Sequence, residues 1–334
     1  MDYRFKKRKI SSKGDGVKKK KKKIVVIGGG TGIFAILSGL KNYFDDVSAV
    51  VTMADDGGST GILREEFGIL PPGDVRRAII ALSHSDNKIL SELFNYRFKE
   101  GKGLAGHSFG NLMITALERL TGSFDEAVRE ASKIFGLKGK VIPATLGQTR
   151  LYAVLENKKI ISRETNIDVP KHDGHLKIKK VWLKPAVKIN PEAAKEIKAA
   201  DLIVIGPGDL YTSLVPNLLV KGLKNSLKRS KAKVVYFANL MTKYGETDGF
   251  RTSDFLRVLE IYLGKGVLDY IVVNNKKPVS ARLRPYASER ATLVKNDLKK
   301  SSKKPILIAA DLLRPRGFLR HDPGKTAAVV RKLI

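Results

Sequence analysis

The 334-residue sequence contains no cysteine, one tryptophan and five histidines. The missing cysteines exclude disulfides and thiolate zinc sites. Five histidines leave little room for a histidine-rich metal centre. No apolar run approaches the ~20 residues that a membrane-spanning helix needs. The basic N-terminus is followed by no apolar signal segment. A cytoplasmic protein without a membrane span is therefore expected. Acidic residues are scarce as well: 33 Asp+Glu stand against 63 Lys+Arg, a net charge of +30. A hydrophobic share of 43% is ample for a buried core, in one large α/β domain or two ordinary ones.

Part of the charge is local. Residues 1–23 hold twelve basic residues against Asp2 and Asp15, a net +10, and the other +20 is spread over the body. A segment so poor in apolar side chains cannot offset its ordering entropy, so residues 1–23 are expected to be a disordered basic tail. Nonspecific contacts of that tail with anionic lipid or nucleic acid follow from its charge. A generally Lys-rich composition explains the same charge without any partner.

Downstream of the tail, apolar strand-like runs alternate with helical patterns. The runs are Ile24–Ile27, Val47–Met53, Leu202–Ile205, Lys233–Ala238, Tyr270–Val273 and Pro305–Ala309. Helical patterns include Ile33–Asn42, Asn111–Leu120, Asp125–Phe135, Pro191–Ala199, Leu214–Leu227 and Thr252–Leu263. This rhythm predicts an α/β fold, a Rossmann-like and mostly parallel sheet flanked by helices. Residues 140–185 break the rhythm with short strand-like pieces and polar turns, and are expected to form a small antiparallel β-rich insertion. No Pro- or Gly-rich linker appears, so residues 24–334 are read as one composite domain.

The strand Ile24–Ile27 runs into Gly28, Gly29, Gly30, Thr31 and Gly32, then into a helix. Such a turn lets the backbone pass close to a ligand, and its N–H groups with the helix N-terminus favour an anion. It is neither a P-loop nor a dinucleotide fingerprint, because no Gly-Lys-Ser/Thr closes it and Ile33 stands where a third Gly would fall. The second strand ends in Asp55 and Asp56 before Gly57–Gly61, where a carboxylate can hold Mg²⁺ or orient a hydroxyl. Asp74 opens a helix as a capping residue. Of Arg76 and Arg77, at most one is expected to face a ligand, and Arg76 suits bidentate phosphate contact. His107 and Asn111, in Gly106–Asn111, supply polar contacts at another helix start. Gly206, Gly208, Thr212 and Ser213 repeat the strand, glycine turn and helix, and Asn239 lies in a polar loop at the same rim. Arg320 is a further candidate for a ligand phosphate, and Tyr286 for stacking on a base or sugar.

Seven segments in order, GGGTG (28–32), ADDGGSTG (54–61), PPGDVRR (71–77), GHSFGN (106–111), GPGDLYTSLVPNLLV (206–220), MTKYGETDG (241–249) and RHDP (320–323), resemble the gluconeogenesis-factor family of the YvcK type. That family is related to 2-phospho-L-lactate transferase (CofD-like), and the resemblance runs over about residues 24–332. It implies a Rossmann-like core and binding of a UDP-sugar, UDP-N-acetylglucosamine or UDP-glucose. It also implies a regulatory role in gluconeogenic growth, cell shape and peptidoglycan synthesis. Cell-wall synthesis proteins become expected partners, and a homo-oligomer the expected state. The transferase relatives instead move a phospholactyl group from a guanosine diphosphate-linked donor to a deazaflavin with Mg²⁺. In that case Asp55 and Asp56 would be catalytic and Mg²⁺ the cofactor. Three positions depart from the pattern that the resemblance implies: Asp209 stands in place of a Ser, and Lys243-Tyr244 in place of Gln-Pro. A carboxylate at 209 beside a diphosphate is repulsive unless a cation separates them. A UDP-sugar-binding regulator is the leading expectation, a transferase the second, and a nucleic-acid-associated protein, supported by charge alone, the third.

Overall fold

Runs of Val, Ile and Leu that are buried on both faces set the architecture, seen in a computed structural model that describes residues 20–84 and 88–334. The first half of the chain is β1 (Lys20–Gly28), α1 (Gly32–Leu40), β2 (Phe44–Val51), α2 (Gly58–Phe67), α3 (Pro72–Leu82), α4 (Lys88–Asn95), α5 (Phe109–Thr121), α6 (Phe124–Ile134) and β3 (Lys140–Pro143). A small unit follows: β4 (Arg150–Leu155), β5 (Ile160–Ser162), α7 (Glu164–Asp168) and β6 (Ile178–Lys184). The chain then forms α8 (Pro191–Ala199), β7 (Leu202–Ile205), a π-helical turn at Leu210–Leu214, α9 (Val215–Leu219), α10 (Leu223–Arg229) and β8 (Lys233–Phe237). It closes with α11 (Thr252–Leu263), β9 (Tyr270–Asn274), α12 (Arg284–Ala287), β10 (Ile306–Ala310) and α13 (Pro323–Lys332).

Seven strands form one sheet in the order β10-β9-β8-β7-β1-β2-β3, and every neighbouring pair is parallel. The two-residue side-chain period of a strand divides each one between two cores. On β1, Val25 and Ile27 join the core that packs α8 to α11 and the small unit. Ile24 and Val26 join the core that packs α1, α3, α5, α6 and α13. Each of these four side chains is at most 1% exposed, a burial of about 1.5–3 kcal/mol apiece. The strand order reverses beside β1. The chain moves outward through β2 and β3 on one side and through β7, β8, β9 and β10 on the other. Connections that leave in opposite directions open a crevice at the carboxyl ends of β1 and β7.

Several boundaries differ from the sequence expectation. Lys20–Lys23, assigned to the tail, are the first half of β1. Their backbone pairs with β2, Lys20 opposite Phe44 and Lys23 opposite Asp46. Acids receive the charge: Lys22 pairs with Asp201 (3.1 Å), and Lys23 with Glu196 (3.0 Å) and Asp46 (3.6 Å). Residues 1–19 lie outside the described residues, and the expectation of disorder falls there. β3 was expected in the antiparallel insertion, yet it extends the main sheet beside β2. Val141 and Ile142 are buried in opposite cores, which only a strand covered on both faces achieves. The antiparallel sheet, in the order β5-β4-β6, spans 150–184. Its β4 alternates half-buried and buried residues, the mark of a one-faced sheet. The single helix expected over 214–227 is three pieces. Val220 leaves helical geometry at ψ 121°, and Gly222, at φ +101°, starts the next helix. Lys221 instead hydrogen-bonds in strand fashion to Val187 and Ile189.

Candidate functional site

A cavity of about 430 Å³ occupies the crevice where the strand order reverses. Its floor is made by two glycine turns in direct contact. A Cβ added at Gly32 would stand 2.1 Å from the Pro207 carbonyl oxygen, so only glycine lets α1 start against the second turn. Asn217 of α9, fully buried, donates to the Gly28 carbonyl (3.1 Å) and the Ser213 carbonyl (2.8 Å), fixing one turn to the other. Gly30 adopts φ +63°, which turns the chain toward the cavity.

Asp74 lies in the first turn of α3, and its carboxylate accepts the Gly30 N–H. The capping expected of Asp74 does not occur, since α3 has Pro71 at its N-cap and no side-chain cap hydrogen bond; the carboxylate is turned to the first glycine turn instead. A Cβ at Gly29 would come within 2.5 Å of this carboxylate, which explains that glycine. Burial, and then the nearby Asp55 charge, pushes the Asp74 carboxyl up to about 6, and Arg77 pairs with it at 3.3 Å. Asp55 also faces the cavity, accepts the Gly57 N–H (2.9 Å), and is raised by burial. Asp56 does not line the cavity. Neighbouring side chains diverge here, and Asp56 accepts the N–H and the hydroxyl of Thr165 (3.0 Å each), anchoring the start of α7. The expected pair of acids is thus divided between a cavity residue and a structural one.

The basic wall is assembled from α3, α4 and α5. Arg76 donates through Nε to Asn111 (3.1 Å) and through Nη1 to Asn95 (2.7 Å). Burial lowers its guanidinium to about 10, which leaves it charged at neutral pH. Asn111 in turn donates to Ser59 (3.3 Å), whose hydroxyl meets His107 Nδ1 at 3.0 Å. His107 therefore sits one layer behind the cavity and orients Ser59. Arg77 and Arg97 line the cavity too. The expectation that only one of Arg76 and Arg77 would face it fails because α3 points its N-terminal end at the site. Two long side chains in its first turns both reach the site. Arg97 arrives through an antiparallel bridge with Ser108.

The opposite wall is acidic and comes from α7 and from the loops after β7 and β8. Glu164, Asp168, Asp209 and Lys243 line it. Burial, followed by the charge of Asp55, pushes the Glu164 carboxyl up to about 10, so this acid is neutral at pH 7. Lys243 Nζ pairs with Asp209 (2.8 Å), with Glu246 (3.4 Å) and with Asp168. Glu246 accepts the Tyr211 N–H (3.0 Å) and the Thr212 hydroxyl (2.9 Å), and burial raises it to about 7.

Of the residues expected from the sequence, Gly30, Thr31, Asp55, Asp74, Arg76, Asn111, Thr212 and Ser213 come together around this cavity. Gly29, Gly32, Gly206 and Gly208 form the turn backbone behind it. Asn239, Tyr286 and Arg320 are not at the cavity. Asn239 donates to the Gly208 carbonyl (2.8 Å), which braces the second turn, and faces a neighbouring cavity of about 300 Å³. Tyr286 packs against Leu240, Leu313 and Leu319, and its hydroxyl accepts the Leu319 N–H at 2.8 Å. Arg320 is exposed beyond that cluster. The residues missed from sequence were Arg77, Arg97, Glu164 and Asp168, together with the pairing of Asp209 with Lys243. The opposite charges of Asp209 and Lys243, both at odds with the expected pattern, were the only sequence signal for that pair.

Asp55 and Asp74 offer hard oxygen donors of the type that Mg²⁺ takes. The Asp168–Asp209–Glu246 group does not fit a metal as it stands, because Lys243 already sits among its oxygens. Among the described residues, no helix is long and apolar enough to cross a membrane.

Fold and cavity define a Rossmann-like α/β protein with a cleft lined by paired glycine turns where the strand order reverses. The profile of the family described as "2-phospho-L-lactate transferase CofD" matches residues 24–313. The gluconeogenesis factor of Bacillus subtilis is 39% identical over 308 residues, 91% of this chain and 96% of that protein. A longer Nostoc sp. relative, also named for gluconeogenesis, is 45% identical over 91% of this chain, which spans 66% of it. A crystal structure of a UPF0052-family protein from Bacillus halodurans superposes with a TM-score of 0.88 at 40% identity, covering 93% of this chain and 99% of that one. The chain belongs to the CofD family, alongside the gluconeogenesis factors.

Proposed function

We propose that the cleft binds a nucleoside-diphosphate-linked sugar, UDP-N-acetylglucosamine or UDP-glucose, and that the protein is a regulator rather than a catalyst. The observation that carries this reading is the contact between the two glycine turns. Gly30 and Thr31 of one and Thr212 and Ser213 of the other line a single cavity, with Arg76, Arg77 and Arg97 beside them. The N-terminal end of α1 behind the first turn, with the arginines beside it, suits a diphosphate. The carboxyl group of Glu164 on the other wall suits a sugar hydroxyl. The relatives named gluconeogenesis factors support a role in growth on gluconeogenic carbon sources. Control of cell shape through wall synthesis proteins, a cytoplasmic location and a homo-oligomeric state belong to the same proposal. Titration calorimetry tests it: saturable heat with UDP-N-acetylglucosamine supports the reading, and no heat with any UDP-sugar refutes it.

A second reading, a Mg²⁺-dependent transferase acting on a nucleoside-diphosphate-linked donor, is favoured by the family description. Asp55 and Asp74 would hold the metal in that case. Mass spectrometry of mixtures with a phospholactyl donor and a deazaflavin tests it through product formation.

A further inference from the structure

Three carboxylates converge on the acidic rim of the cleft. Asp168 ends α7, Asp209 precedes the π-helical turn, and Glu246 lies in the loop after β8. One oxygen from each lies within 4.8 Å of the others. Hard oxygen donors so arranged are the kind of set that holds a divalent cation. Here they hold an ammonium. Lys243 Nζ is 2.8 Å from Asp209, 3.4 Å from Glu246, and hydrogen-bonded to Asp168. Its Nζ donates to Asp168 and Asp209, and Glu246 completes the group as an ion pair. Glu246 is fixed from its far side by Tyr211 and Thr212, and its side chain is 0% exposed. The other two acids are reachable from the cleft, at 33% exposure for Asp168 and 42% for Asp209.

The cluster matters to any ligand because Asp168, Asp209 and Lys243 line the same cavity as Gly30 and Thr31. Without a cation, three carboxylates would repel an anion from that cavity. We propose that Lys243 is a tethered counter-cation that takes the place of a divalent metal among Asp168, Asp209 and Glu246, so that this rim of the cleft admits a diphosphate without a metal. The second half rests on the anionic-ligand reading above, whereas the occupancy of the carboxylate group stands apart from it. Lys243 also joins α7 of the small unit to two loops of the main sheet, so the same ammonium holds the cleft wall together.

Mn²⁺ titration followed by electron paramagnetic resonance, with pyrophosphate calorimetry in EDTA, tests the proposal. Lys243→Gln is expected to gain one Mn²⁺ site per chain relative to the wild type, and a further Asp168→Asn to remove it. Counting against the wild type cancels metal held elsewhere. In EDTA, Lys243→Gln is expected to lose about tenfold or more in pyrophosphate affinity. Added Mn²⁺ should restore its affinity for UDP-N-acetylglucosamine. Lys243→Arg should behave as the wild type. A folded Lys243→Gln with no added Mn²⁺ site, or with unchanged pyrophosphate affinity in EDTA, overturns the proposal. So does a wild type that binds pyrophosphate only with added metal. If Lys243→Gln fails to fold, Asp209→Asn decides. An unaltered Mn²⁺ count supports a site filled by Lys243, and a lower count shows that metal displaces it. A wild type that binds pyrophosphate but no UDP-sugar refutes the proposed function and leaves this inference standing.

Discussion

The turn at Gly28–Gly32 and the turn at Gly206–Ser213 both carry the chain from a buried parallel strand into a helix, yet their surroundings differ. The first is held by close backbone contacts and by one carboxylate, Asp74, that accepts the Gly30 N–H. The second is held by an ion cluster, with Glu246 beneath Tyr211 and Thr212 and Lys243 joining Asp209 to α7. Steric contact tolerates almost no change of side chain, whereas a charge cluster can be retuned by single substitutions. The first turn therefore fixes the geometry of the cleft, and the second adjusts its electrostatics.

The largest expected effect lies at the contact between the turns. Gly32→Val places carbon against the Pro207 carbonyl and should cost about 3 kcal/mol, read from urea unfolding. A wild-type midpoint would mean that the turns separate easily. Gly30→Val, which forces a β-branched residue to φ +63° beside Ser213, should abolish ligand binding.

Next comes the basic wall. Arg76→Met should lower UDP-sugar affinity by about 100-fold, and Arg76→Lys should not rescue it, because an ammonium cannot keep both the Asn111 and the Asn95 contact. Rescue by Lys would show that charge alone is needed. Asn217→Ala removes the clamp between the turns and should cost about 1–3 kcal/mol in unfolding free energy.

A pH series separates the two turns further. Asp74 (about 6) and Glu246 (about 7) are both raised above the unfolded carboxylate range near 4. Their native states bind protons more tightly than the unfolded chain. The stability they contribute is full below pH ~4 and is lost as pH rises through ~7. Asp74→Asn should remove the lower part of that slope and Glu246→Gln the upper part, read as urea midpoints against pH. Identical slopes in wild type and both variants would contradict the assignment. The smallest effect is expected for Arg320→Ala, which should leave affinity within about twofold, as an exposed side chain away from the cavity does.

The first turn was legible because its information is local. Glycine spacing, an apolar run before it and a helical pattern after it identified β1, the turn and α1 together. Asp55, Asp74, Arg76 and Asn111 were legible for the same reason, each lying in a strand-to-helix connection or in the first turns of a helix. The acidic wall was not. Glu164 and Asp168 reach the cleft only because the small unit folds over the sheet, and Lys243 meets Asp209 across 34 residues of sequence. Tyr286 and Arg320 looked suitable by side-chain type, but the chain after β9 carries them to a separate cluster around Leu313 and Leu319. β3 was misplaced because a four-residue strand carries too short a pattern to show that both of its faces are buried.

One diphosphate-linked sugar held by both turns together is the proposed ligand. Titration calorimetry of UDP-N-acetylglucosamine into the wild type, Gly30→Val and Arg76→Met tests it most directly. Saturable binding at one site per chain is expected in the wild type, none in Gly30→Val and a strong loss in Arg76→Met. Equal binding by all three proteins, or none by the wild type, would contradict it.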